Sequence, residues 1–173
     1  MNKRKIKIGI LGGSFDPAHK GHLAISKEAR KRFKLKKIIW AITKKNPLKA
    51  VSKTPVSKRI KDCKKLIGSN TFIKVKFYED TINSNKTIDL INYLKKNKKL
   101  EIFFLMGADN LISFHKWHKS KLITEKCNII VFDRHGYKKN SLKSKTFKKL
   151  NNKSLTFVKF KKVNISSSQL RRI

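Results

Sequence analysis

The sequence predicts an α/β protein with a doubly wound, mostly parallel sheet in a single domain. Three observations predict it. Short segments such as Lys37 to Thr43 (KIIWAIT) and Glu101 to Met106 (EIFFLM) are apolar at consecutive positions, as strands covered on both faces require. These runs alternate with segments of helical spacing, the pattern of strand–helix–strand units. At 173 residues and 39% hydrophobic composition, the chain has the size and apolar content for one core.

In order, Lys5 to Leu11 (KIKIGIL) is the first expected strand. Gly21 to Phe33 is a helix whose apolar face carries Leu23, Ala24, Ile25, Ala29 and Phe33. Lys37 to Thr43 is a second buried strand, and Lys44 to Pro55 a cationic loop with two prolines. Val56 to Ile67 has helical spacing at Ile60, Cys63, Leu66 and Ile67 and stops at Gly68. Phe72 to Phe77 is a third strand, followed by a loop and a helix from Thr87 to Leu94. Glu101 to Met106 is the fourth strand. Short helical turns cover Asp109 to Phe114 and Ser120 to Thr124, and Asn128 to Phe132 is the fifth strand. Lys138 to Lys153 is polar and aperiodic and is expected to be irregular. Leu155 to Phe160 is a weaker sixth strand, and Ile165 to Arg172 opens a last helix. With right-handed crossovers, ligands sit beyond the carboxyl ends of the strands, where Gly12-Gly13, Thr43, Gly107 and Asp109 fall.

Charge and cysteine content bound the function. The formal net charge is +35, which invites a nucleic-acid partner. However, the cations are spread along the chain, and only seven of the 45 are Arg, the better reader of bases. No specific nucleic-acid partner is therefore expected, and the same charge attracts anionic phosphate substrates. There is no apolar run long enough to span a membrane. The basic-then-apolar start, MNKRKIKIGILGG, is interpreted as a strand rather than a signal peptide. A cytoplasmic protein with Cys63 and Cys127 as free thiols is expected.

Two stretches carry chemistry. In GGSFDPAHKGHL, Gly12 and Gly13 end a strand; glycine tolerates positive φ and admits a ligand close to the backbone. The spacing fits neither of the usual dinucleotide and P-loop fingerprints, and a plain strand-to-helix turn is the competing reading. His19 and His22 stand three apart at the helix start. The dipole there disfavours imidazolium, a cost that bound polyphosphate would offset. Near the other end, Ser167 and Ser168 in ISSSQLRR either cap a helix or turn their hydroxyls to an anion, with Arg171 one turn on.

Together these stretches resemble the HxGH and ISSTxxR signatures of the nucleotidylyltransferase superfamily, with Ser168 in place of the usual threonine. NPLK, TIDLINYL and FFLMGADNLISFHKWH resemble one branch, the bacterial nicotinate mononucleotide adenylyltransferases, and the match runs in order from Ile8 to Arg171. The resemblance implies a Rossmann-like nucleotidylyltransferase domain over residues 1–173; the family continues through a whole C-terminal helix, which is either short or truncated in this sequence. It implies adenylyl transfer from ATP to nicotinate mononucleotide, giving deamido-NAD and pyrophosphate. It assigns catalytic roles to His19, His22 and Arg171. ATP and phosphate contacts fall to Gly12, Gly13, Ser14, Phe15, Gly107, Asp109, Ser167 and Ser168, and mononucleotide contacts to Thr87, Trp117, Lys49 and Arg59. Mg²⁺ is expected on the ATP phosphates with no protein-built metal site, and a homo-oligomer is left open. The attacking group would be a phosphate oxygen, anionic at neutral pH, so no general base is required; aligning two anions and screening the leaving pyrophosphate is the task. A sister enzyme acting on phosphopantetheine or transferring cytidylyl groups would keep both end motifs but not the Thr87–Trp117 pair. A basic nucleic-acid-binding protein would need one continuous basic face.

Overall fold

The computed structural model describes residues 4–46, 52–133, 136–150 and 154–160. Its framework is a parallel sheet of six strands: β1 (Ile6–Gly13), β2 (Lys37–Ile42), β3 (Ile73–Phe77), β4 (Leu100–Gly107), β5 (Asn128–Phe132) and β6 (Leu155–Val158). The spatial order is β3-β2-β1-β4-β5-β6, so the winding direction reverses between β1 and β4. Every pairing is parallel; Leu11 lies opposite Trp40 on one side and Leu105 on the other.

The continuous apolar runs follow from this architecture. Successive side chains of a strand point to opposite faces, and both faces are covered here. Ile102, Phe104 and Met106 enter one core with Ile8, Ile10, Ile88, Ile91, Leu111 and Phe114. Phe103 and Leu105 enter the other with Leu11, Trp40, Ala29 and Cys63. The helices α1 (Lys20–Phe33) and α2 (Val56–Ile67) therefore cover one face. On the other lie α4 (Thr87–Lys95), α5 (Ala108–Ser113) and α6 (Ser120–Lys126), while α3 (Glu79–Ile82) precedes α4 at the rim.

Two expectations are corrected. The stretch expected to be irregular over Lys138 to Lys153 holds α7 (Lys138–Lys143) and α8 (Lys145–Leu150). These are pinned by contacts that periodicity does not reveal: Ser144 Oγ accepts from the Phe147 N–H at 3.1 Å, and buried Thr146 Oγ1 accepts from the His115 N–H at 3.1 Å. The loop after β3 contains α3, a single turn. The helix expected from Ile165 lies outside the described residues.

No helix among the described residues is long and apolar enough to cross a membrane. Surface ion pairs such as Lys44–Asp80 and Lys58–Asp62 are exposed and contribute little.

Cys63 and Cys127 are both free and buried. Desolvation pushes each thiol up to about 12. The reactive species is the thiolate, so both should resist alkylation at about pH 8 in the folded protein and react at once in denaturant. Mass spectrometry of iodoacetamide-treated protein checks this; rapid native labelling of either residue would contradict the burial.

Candidate active site

The site is built where β1 and β4 end side by side at the reversal of strand order, the position at which open α/β sheets bind ligands. Gly13 closes β1 and Gly107 closes β4. Gly12 and Gly13 remain in extended strand conformation, so their value is not the positive φ the sequence suggested. A Cβ on Gly12 would meet only Phe104, at 3.5 Å, and both glycines present bare backbone to a cavity. The left-handed residue of the turn is Phe15, with φ 49°. Its ring is buried, stacked on Trp40 at 5.1 Å and leaning on His22 at 4.7 Å. A bulky residue is rarely held in that region; here the buried aromatic contacts hold it.

The two histidines divide a structural task. His19 is not inside α1 but is its N-cap, with extended backbone. Its Nδ1 accepts from the Gly21 N–H at 3.1 Å, while His22 Nδ1 accepts from the His19 N–H at 3.1 Å. This is the reciprocal capping box usually made by Ser or Thr with Glu, built from imidazoles. Their centroids lie 3.8 Å apart. With Nδ1 accepting, the proton of each neutral ring belongs on Nε2, which becomes a donor. Behind them, the Trp40 indole N–H donates to Ser26 Oγ at 2.8 Å, and the Ser26 hydroxyl donates to the His22 carbonyl at 2.8 Å. The helix start is thereby tied to β2 through the fully buried Trp40 and Ser26 side chains.

Against the glycines, a cavity of about 460 Å³ opens. Thr87, the first residue of α4, and Trp117 both line it together with Gly12 and Gly13. Trp117 stands edge-on to Phe104 at 5.9 Å and tilted against Phe114 at 5.2 Å, so its ring is braced by the core while it forms wall. Sequence reasoning does not single out Asn46, Glu79, Ser84, Asn85 and Lys116, which line the same cavity. In sequence, Glu79 to Lys86 resembles a plain polar loop, and the only signal in it is its position just before the Thr87 helix.

Other residues fall differently. Gly107 and Asp109 lie beside the cavity rather than on its wall. A Cβ on Gly107 would sit 2.6 Å from Asp109 Oδ1, so the glycine is what allows that carboxylate its position. Arg59, expected to meet the mononucleotide, directs its donors at backbone carbonyls. It is only 2% exposed, and its guanidinium donates to the carbonyls of Ser14 at 2.6 Å, Thr43 at 2.8 Å and Thr54 at 2.9 Å. Burial lowers its pKa, opposed by Asp16 and Glu79. Lys49, Ser167, Ser168 and Arg171 lie outside the described residues.

A nucleotide fits such a place: two strands ending in glycine at a switch point, and a helix start that offers imidazole donors and no acidic residue in its first turn. That combination defines a Rossmann-like nucleotidyltransferase, and a cytidylyltransferase-like family model matches residues 10–173. The chain is 67% identical over its full 173 residues to the probable nicotinate-nucleotide adenylyltransferase of Pelagibacter ubique, covering 96% of that protein. It is 38% identical over 131 residues, 75% of this chain and 70% of the relative, to a protein of the same name from Agrobacterium fabrum. The chain belongs to the nicotinate-nucleotide adenylyltransferase family. Its fold matches that of the Plasmodium falciparum nicotinic acid mononucleotide adenylyltransferase solved with NaAD. The TM-score is 0.77 at 22% identity, over 96% of this chain and 82% of that one. Nucleotidyltransferases of this kind commonly use a divalent metal.

The capping geometry gives a stability prediction. Losing the His22 ring removes an N-terminal cap and the ring contacts with Phe15, His19 and Trp40, about 1–2 kcal/mol. His22→Ala should lower Tm by roughly 2–8 °C. His22→Asn retains an acceptor at the Nδ1 position and should recover about half of that loss. Thermal unfolding of the three proteins checks it; an unchanged Tm in His22→Ala would show that the cap contributes nothing.

Proposed function

We propose that this chain transfers the adenylyl group of ATP to nicotinate mononucleotide, releasing pyrophosphate and forming deamido-NAD, a step of NAD biosynthesis. One observation carries the reading: a single cavity is lined both by the bare Gly12–Gly13 backbone and by Thr87 and Trp117. The bare backbone suits a phosphate chain and Trp117 an aromatic ring, and the family membership agrees with this pairing.

In this reading the triphosphate lies over Gly12, Gly13, Ser14 and Phe15, with Nε2–H of His19 and His22 donating to its oxygens. Ser167, Ser168 and Arg171 hold the same phosphates from the other end of the chain, and Gly107 and Asp109 stand beside the adenosine. Trp117 stacks on the pyridine ring. Thr87 meets the ring's carboxylate at the start of α4, where the helix dipole favours negative charge. Lys49 faces the mononucleotide. The mononucleotide phosphate attacks the α-phosphorus in line, and the bond to pyrophosphate breaks as negative charge moves onto it. Neutral imidazole donors fixed by their Nδ1 bonds stabilise that charge without reorganising.

Among the described residues no group of three His, Cys, Asp or Glu stands ready to hold a metal ion. In this reading Mg²⁺ is carried on the ATP phosphates, with Asp109 the nearby carboxylate. Bound there, the ion would supply charge neutralisation on the phosphates. Both substrates are intracellular metabolites, which supports a cytoplasmic enzyme.

The assignment is tested by pyrophosphate release with ATP, Mg²⁺ and three acceptors. Nicotinate mononucleotide should be used at least ~10-fold better than nicotinamide mononucleotide, about 1.4 kcal/mol, and phosphopantetheine not at all. Equal use of the first two, or turnover only of the third, overturns it.

The Nε2 assignment gives a separate expectation. His22→Asn keeps the cap but has no donor at the Nε2 position, so kcat should fall by roughly 10²–10³ with ATP affinity little changed. Steady-state kinetics beside ATP titration read the difference. Near-full kcat in this variant would make His22 a structural cap alone.

A further inference from the structure

We infer that Arg59 and Glu79 brace the Thr43–Lys44 peptide from opposite sides and so set the spacing between the glycine turn and the cavity wall that carries Thr87. The inference rests on the functional reading above and deepens it: Arg59 and Glu79 are positioning residues for adenylyl transfer, not ligands of substrate.

The contacts form a continuous path. The Thr43 N–H donates to the Gly13 carbonyl at 3.0 Å, which joins the end of β2 to the glycine turn. Arg59 then holds three points at once. Nη1 donates to Ser14 O at 2.6 Å and to Thr43 O at 2.8 Å, and Nη2 reaches Lys44 O at 3.4 Å. From the other side, Glu79 accepts from the Lys44 N–H at 3.2 Å on each carboxylate oxygen and from the Thr43 hydroxyl. Glu79 opens α3, and the chain from there through Ile82, Ser84 and Lys86 to Thr87 is cavity wall. One buried cation and one carboxylate thus tie the glycine turn to the wall that carries Thr87.

The chemistry makes that spacing consequential. Two anions must meet in line with no covalent help from the protein, and a misplacement of about 1 Å can cost 10²-fold in rate. A planar guanidinium can serve several carbonyls in fixed directions; a lysine ammonium cannot reproduce the fork. A brace therefore predicts that geometry matters and charge alone does not suffice.

The test uses the full chain with Arg59→Lys, Arg59→Met and Glu79→Ala. Binding of ATP alone and of nicotinate mononucleotide alone is measured by calorimetry, turnover by pyrophosphate release, and amide hydrogen exchange over residues 12–16 and 42–46. The brace predicts that all three variants lose roughly 10-fold or more in kcat while each Kd stays within about threefold of wild type. It also predicts faster exchange in both peptides, with Arg59→Lys no better than Arg59→Met. Two results overturn it. One is mononucleotide affinity lost more than ~10-fold in Arg59→Met and restored in Arg59→Lys, which would make the cation a substrate ligand. The other is wild-type kcat in folded variants assayed below their Tm. Should the buried Arg59 variants fail to fold, Glu79→Ala, altered at a half-buried side chain, decides by the same measures. If wild type turns over none of the acceptors, the functional reading fails, while the exchange comparison still tests the brace.

Discussion

The site depends on one constrained corner, the passage from β1 into α1 through Phe15. A left-handed, non-glycine residue costs on the order of 1–3 kcal/mol. Burying a phenylalanine side chain returns a comparable amount, about 1.5–3 kcal/mol, with stacking on Trp40 adding to it. The backbone is thus turned by an aromatic anchor rather than by a flexible glycine. This leaves Gly12 and Gly13 extended, with their bare backbone on the cavity. It also sets the direction in which His19 meets α1, and from that the orientation of both imidazoles.

That orientation lets each imidazole serve twice. The same two rings that cap the helix by Nδ1 carry donors on Nε2. The helix start needs no Ser, Asp or Glu, and none of its first-turn residues is acidic. An acidic cap would serve the helix equally well and repel a polyphosphate. Imidazole is a side chain that can accept from backbone on one edge and donate to an anion on the other while remaining uncharged.

Legibility in the sequence followed the range of the forces involved. The strand Asn128–Phe132 and the helix Val56–Ile67 were legible to the residue, because consecutive burial and a clean glycine stop are local patterns. The pairing of Thr87 with Trp117 across one cavity came from resemblance, since thirty positions of chain separate them. The one-turn α3 and the pair α7–α8 were not legible. They are shorter than two full turns, and contacts such as Thr146 with His115 hold them in place. The surroundings of Arg59 were hidden for a related reason: sequence displays a charge but not its burial. A cation beside a substrate loop is expected to face substrate, and only the carbonyls around it show that its donors are directed inward.

The sparse acidic content has a consequence of its own. With 45 basic residues against ten acidic ones, most cations of the folded chain have no carboxylate to face, so their neutralisation falls to small anions from the medium. Compaction brings like charges together, and added salt should screen that repulsion and favour the native state. The same screening would weaken any long-range attraction between this charge and the nucleotide substrates proposed above. Ionic strength therefore acts on this molecule with two opposite signs, steadying the polyelectrolyte while slowing the encounter with its anionic ligands.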